Sequence, residues 1–261
     1  MKTELLQQFG FRFEPGGAHT ARTMMLDDLS TLLSFVSEPD ARQKAYHDAI
    51  VERNCLNKRS QKTRELTYRH LIDLYTLDPD ALLFRALRYL WQRDTASHGL
   101  VALLCTYARD GVFRQSAPLI LKTAPGTHIP RTTMEAFIDE LEPGRFSAAT
   151  LKSVAQNVNG TWTHAGHLEG RSQKIRARAT ASAGAVTYAL LMGYLTGVRG
   201  YELFSTEYAR LLDCSRERAI DLAEEASRKG WLVFKRVGTV MEVLFPAIIQ
   251  PEEMERLREQ G

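Results

Sequence analysis

Cysteine is scarce in this chain of 261 residues: Cys55, Cys105 and Cys214 stand far apart. An odd, scattered set argues against a disulfide framework and for a reducing, cytoplasmic setting. The first residues, MKTELLQQFGFRFEPGG, hold neither a long apolar core nor a small-residue cleavage pattern, so no signal peptide is expected. A surplus of one charge sign is missing too. With 34 Lys and Arg against 31 Asp and Glu the net charge is +3, and only the placement of cations can argue for a nucleic-acid partner. One uncharged stretch, ATASAGAVTYALLMGYLTGV between Arg178 and Arg199, is long enough for a bilayer. Thr, Ser, Gly and Tyr dilute it, and only 188–195 is strongly apolar, so it predicts a buried central helix and no membrane partner.

Catalytic signatures are also wanting. There is no phosphate-cradling Walker loop and no GxGxxG. His164 and His167 stand three apart, but no cysteine or acidic residue nearby completes a metal set. Cys55 has Arg53 and Lys58 near it in sequence, which lower a thiol pKa, although burial as a small hydrophobe is the commoner role. No nucleophile, base and oxyanion donor assemble. Neither an enzyme nor a cofactor, metal or small-molecule substrate is expected.

What is present is helical. Hydrophobic residues make up 44% and charged residues 25%, the balance of a globular protein of one or two domains. Met25, Leu26, Leu29, Leu32, Leu33 and Val36 predict a helix over 23–36. Asp40 behind Pro39 opens a second, Ser60 caps a third (SQKTRELTYRHLIDLY), Asp78-Pro79 opens a fourth (DPDALLFRALRYLW), and Ser97 a fifth that ends at Asp110-Gly111. Residues 116–130 carry three prolines and a glycine. They read as a linker between an N-terminal helical domain, 1–115, and a C-terminal one, 131–261. Helices follow over 132–141 and from Ser147, with Asn159-Gly160 marking a break or end. Trp91, Trp162 and Trp231 fall at apolar spacing and belong to the core. Glu252, Glu253, Glu255 and Glu259 give the chain an acidic end.

Residues 205–246 carry the order of a winged helix-turn-helix. A short helix leads to the turn Asp213-Cys214-Ser215, and Ser215 caps a second helix that stops at Lys229-Gly230. Strands over 231–236 and 240–245 are joined by Val237-Gly238-Thr239. The expected fold class is therefore mainly α: an all-helical globular fold with helix-turn-helix units and a C-terminal winged-helix β-hairpin. This order aims one helix at a DNA groove and a hairpin at the adjacent backbone. Arg216 and Arg218 (with Arg210 before them) and Lys235 and Arg236 on the wing favour phosphate. Glu217, Asp221, Glu224 and Glu225 oppose deep insertion and suit docking to a protein instead. Ala219, Leu222, Ala223 and Ala226 face inward.

Two further basic clusters stand out. Lys58, Arg59, Lys62, Arg64 and Arg69 surround the Ser60 cap and Thr63, against the single acid Glu65. A helix N-terminus flanked by cations receives phosphate well. The plainer reading pairs Glu65 with Lys62 and Arg69 at i±3 or 4, which leaves Lys58, Arg59 and Arg64 unneutralised. The second cluster is Arg171, Lys174, Arg176 and Arg178. Arg176 and Arg178 alternate with Ile175, Ala177 and Ala179, as in an extended arm with cations on one face, or an exposed basic loop without a partner. Tyr68 is the one obvious base-stacking candidate for an RNA binder.

The stretch ERNCLNKRSQKTRELTYRHLIDLYTLDPDALLFRALRYLW resembles the N-terminal half of the BrxA family, an accessory protein of bacteriophage-exclusion (BREX) defence systems. SAATLKSVAQNVNGTWTHAGHLEG and AVTYALLMGYLTGVRGYELFSTEYARLL are similar to its C-terminal half, so that the likeness covers about 20–245. The resemblance implies a mostly helical, cytoplasmic, non-catalytic protein that binds double-stranded DNA. It also implies association with other BREX proteins: a methyltransferase, an ATPase and a phosphatase-like subunit. The family has been likened to the RNA-binding antitermination factor NusB. Its KRS-xx-T element falls on Lys58, Arg59, Ser60 and Thr63.

Overall fold

The computed structural model describes residues 2–238 and 240–259. Thr239, read above as part of the hairpin turn, lies outside the described residues.

Helix α1 (Lys2–Gln8) and a 3-10 turn lead into α2 (Leu26–Phe35). The helix begins only after Met25, which sits in the left-handed region at φ 52°. The second predicted helix divides into α3 (Gln43–His47) and a π-helical stretch (Asp48–Glu52). Ser60 caps α4 (Gln61–Tyr75), its hydroxyl accepting from the Thr63 N–H. Asp78-Pro79 does not open α5 (Leu82–Trp91): Thr76 and Leu77 take φ of 62° and 54°, and the chain turns until Ala81.

After α6 (His98–Arg109), the first half of the predicted linker is α7 (Gly111–Lys122). Asp110 caps it by accepting from the Phe113 N–H. Val112, Phe113, Ala117 and Ile120 are buried, and this apolar stripe outweighs Pro118 within the helix. Only 123–130 remains as loop. Helix α8 (Arg131–Leu141) pairs with α9 (Ala148–His164), which Ser147 caps through the Thr150 N–H. Asn159-Gly160 does not break α9. A Cβ on Gly160 would stand 2.9 Å from Thr23 Cγ2, so the glycine permits a close approach.

Strands β1 (Leu168–Glu169) and β2 (Ile175–Arg176) form a small antiparallel ladder, and His128 bridges to Ile175. Helix α10 (Ala183–Leu195) is buried on all sides, as its lack of charge requires. It packs on α5 and α6, and also on α11 (Glu207–Arg210) and α12 (Arg216–Arg228). Ser215 caps α12, and Asp213 in the turn before it takes φ 54°. Gly230 at φ 74° ends α12, with the Trp231 N–H on the Ala226 carbonyl and the Gly230 N–H on that of Ser227. The wing is β3 (Val233–Val237) against β4 (Val240–Leu244), with Lys235 opposite Glu242. The acidic end is α13 (Pro251–Arg258), tied to α5 by Arg85 on both oxygens of Glu253 at 2.6 and 2.7 Å.

One hydrophobic cluster runs from Leu5 to Leu257 and contains Trp91, Trp162 and Trp231. The two halves share it, so 116–130 is no break in packing. Among the described residues, no helix is long and apolar enough to cross a membrane.

Candidate nucleic-acid interface

Around the α4 N-terminus the structure redistributes the expected free charge. Lys58 is neutralised: its Nζ lies 2.8 Å from Asp28 Oδ1, with both side chains about three-quarters buried. Arg64 turns inward and donates to the Val51 carbonyl at 2.9 Å. Glu65 does not quench Lys62 and Arg69. Its Oε1 faces His47 Nε2 at 3.8 Å instead. Arg59, Lys62 and Arg69 are exposed and make no ion pair or hydrogen bond among the described residues. The free set is thus Arg59, Lys62 and Arg69: Arg59 and Lys62 stand at the helix end whose dipole is positive, and Arg69 lies about two turns further along α4. Ser60 and Thr63 are occupied with capping and with each other, their hydroxyls 2.9 Å apart. Tyr68 is half-buried, its hydroxyl donating to the Gln43 carbonyl and its ring perpendicular to that of His47.

The second cluster is split. Arg176 does not face solvent with Arg178. It is 3% exposed and donates to the carbonyls of Ile120, His167 and Ala177, and to both oxygens of Asp213 at 2.8 Å. The reason is the strand: His128 and β1 flank β2, which turns the Arg176 side chain toward the helix-turn-helix turn. Burial raises the Asp213 carboxyl, but the Arg176 and Ala179 hydrogen bonds outweigh it and hold the group below its ordinary value. Beside this pair lies His167, its Nε2 2.9 Å from the Leu211 carbonyl oxygen, its pKa pushed by burial to about 4. Arg171 and Arg178 remain exposed and unpaired among the described residues. Lys174 reaches the Gly170 carbonyl, and desolvation lowers its pKa.

Two clefts adjoin one stripe of α9, and the free cations Arg59, Lys62 and Arg69 line neither. Gln156, Gly160 and His164 follow at i, i+4 and i+8, about 12 Å from end to end. Gln156 and Gly160 line a cleft of about 390 Å³ with Arg131, Arg171 and Lys174. His164 lines another, of about 350 Å³, with Arg22, Lys58 and Thr63 and the acids Asp27 and Asp28. Thr23 lines the second cleft and touches Gly160 in the first, so the two adjoin.

In the winged module, Arg218 is exposed and unpaired among the described residues. Arg216 lies over the Tyr201 ring at 4.7 Å and donates to the Tyr201 and Ser205 hydroxyls. On the wing, Lys235 is paired with Glu242 at 3.2 Å, while Arg236 is exposed, its Nε on the Gly238 carbonyl. Glu217, Asp221 and Glu224 form the centre of the outward face of α12, and Glu225 binds Lys229 at 2.6 Å.

Sequence reasoning missed Arg131 and the wing-tip valines, Val237 and Val240, which are 80% and 70% exposed. The valines face each other at the end of the hairpin, beside Arg236. Arg131 directly follows Pro130, a helix-start signal at which a cation is notable. Among the described residues no group of three metal-ligating side chains occurs: His164 is exposed and His167 buried. The Cys55 thiol is raised by burial despite Arg53. No protein-family model matches the chain, and no curated protein matches it.

Proposed function

We propose that this chain is a non-catalytic accessory protein that binds double-stranded DNA, contacting phosphates with Arg59, Lys62 and Arg69 on α4 and with Arg171 and Arg178 beyond α9. The observation that carries this reading is the freedom of Lys62 and Arg69, since the one acid between them is turned to His47. Unpaired exposed cations release counterions when they meet phosphate, and Arg59 and Lys62 stand beside a helix N-terminus that receives it. Arg218, Arg236 and the wing tip extend the contact. The resemblance to BrxA supports a cytoplasmic setting in bacterial phage defence, with other BREX subunits as partners.

Fluorescence anisotropy on a labelled duplex, titrated at several salt concentrations, tests the reading. Replacing Lys62 and Arg69 together by Ala reduces the slope of log K against log salt by about 0.9 per lost contact and weakens all sequences alike. Replacing Lys58 leaves the slope unchanged. A double variant with the wild-type slope removes α4 from the interface. Equal competition by single-stranded RNA would instead indicate an RNA binder.

A second reading is favoured by the unpaired acids of α12: the winged helix docks a basic surface of another defence subunit. Asp221→Lys with Glu224→Lys then abolishes co-purification with that subunit and leaves the α4 salt slope intact. A complex that survives the reversal excludes this face.

A further inference from the structure

The cleft between α8, α9 and the 171–174 turn has the makings of a ligand site distinct from a groove for duplex DNA. Its walls are Arg131, Arg171 and Lys174, together with Gln156, Asn159, Gly160 and Ser172, and no carboxylate lines it. Arg131 pairs with Glu135 at 2.5 Å, which leaves the charges of Arg171 and Lys174 unmatched among the described residues. Pro130 supplies no side-chain cap to α8, an 11-residue helix, so its positive end also faces this region. Independently of charge, Asn159 lines the cleft, is 3% exposed, and its amide oxygen is buried without a hydrogen-bond partner. A native protein rarely leaves such an acceptor unpaired.

We infer that this cleft binds one nucleoside phosphate. The cations take the phosphate, Arg171 through its planar fork. The amino group of a base or a sugar hydroxyl provides Asn159 with a donor that does not have to come from the phosphate itself. The volume of about 390 Å³ is more than a phosphate fills and falls within the range of small-molecule sites, about 300–1,000 Å³. The same chemistry comes from two sources: a free nucleotide, or the 5′-phosphorylated terminal nucleotide of a strand. The second source rests on the DNA-binding reading, and the first does not.

Isothermal titration of the full chain with dAMP, deoxyadenosine and inorganic phosphate tests the free source. Anisotropy with duplexes carrying a single-stranded 5′-phosphorylated overhang, or the same overhang dephosphorylated, tests the strand end. The proposal expects dAMP to bind more tightly than either fragment, or the phosphorylated overhang to gain affinity over its dephosphorylated form. Arg171→Ala should weaken whichever gain occurs by about tenfold or more. Gln156→Ala, on the exposed rim, is a second variant that spares the core, should Asn159→Leu fail to fold. The proposal is overturned if the wild type shows no dAMP binding and no overhang gain, or if Arg171→Ala leaves the gain untouched. Arg171 also belongs to the proposed duplex contact, so its effect is read as the difference between the phosphorylated and dephosphorylated overhangs, or on dAMP. Blunt-duplex affinity governed by Lys62 and Arg69 is a separate readout, and the two readings fail separately.

Discussion

Arg176 and Asp213 join the basic hairpin to the turn of the winged module by two parallel hydrogen bonds in a space nearly closed to water. Removing either partner strands a charge with no solvent to receive it. Arg176→Ala or Asp213→Ala therefore costs about 3–5 kcal/mol of stability by urea unfolding, while Arg178→Ala, two residues on and exposed, changes it by less than about 0.5 kcal/mol. His167 beside them sets a pH dependence. Its folded pKa of about 4 lies below the ordinary 6.5, so the unfolded chain binds the proton more readily. Its contribution is full above pH 6.5 and is lost as pH falls from 6.5 toward 4. Between pH 7 and pH 5 this amounts to about 2 kcal/mol, measured by urea unfolding at both values, and His167→Gln removes that part of the loss.

At the scale of the element, serine caps carry much of the local order. Ser60, Ser147, Ser182 and Ser215 each accept from the N–H three residues on. Ser60→Ala and Ser215→Ala each cost about 1 kcal/mol, read from the shift in thermal or urea midpoint. These starts were legible because a cap and its helix are neighbours in sequence. So were the inward face of α12 and the burial of α10, since periodicity or uniform apolarity states them directly. The charge state of a patch was not legible. Lys58 meets Asp28 from 30 residues away, and Arg176 meets Asp213 across 37. Spacing along one helix offered Glu65 to Lys62 and Arg69, but packing of the π-helical stretch on α4 brought the preceding His47 to it instead. Proline density misled at α7 for a related reason, because burial of Phe113 and Ile120 decided the segment.

For the molecule as a whole, α10 is the shared element. Gly184 meets Asp94, whose carboxylate accepts its N–H at 2.8 Å, and Gly193 lies against Leu203 and Thr206. The helix is thereby fitted to the N-terminal helices and to the winged module at once. Chains cut to 1–115 or 131–261 should each lack cooperative unfolding, whereas the full chain melts in one transition followed alike by far-ultraviolet circular dichroism and tryptophan fluorescence. Synthesis feels the same arrangement. Until residue 195 has left the ribosome, α5 and α6 wait without the surface that covers them, and the nascent chain brings its most apolar helix late. A ribosome stalled before that point holds a product that chaperones must retain, and the yield of soluble protein depends on the pace of translation through the 180s and 190s.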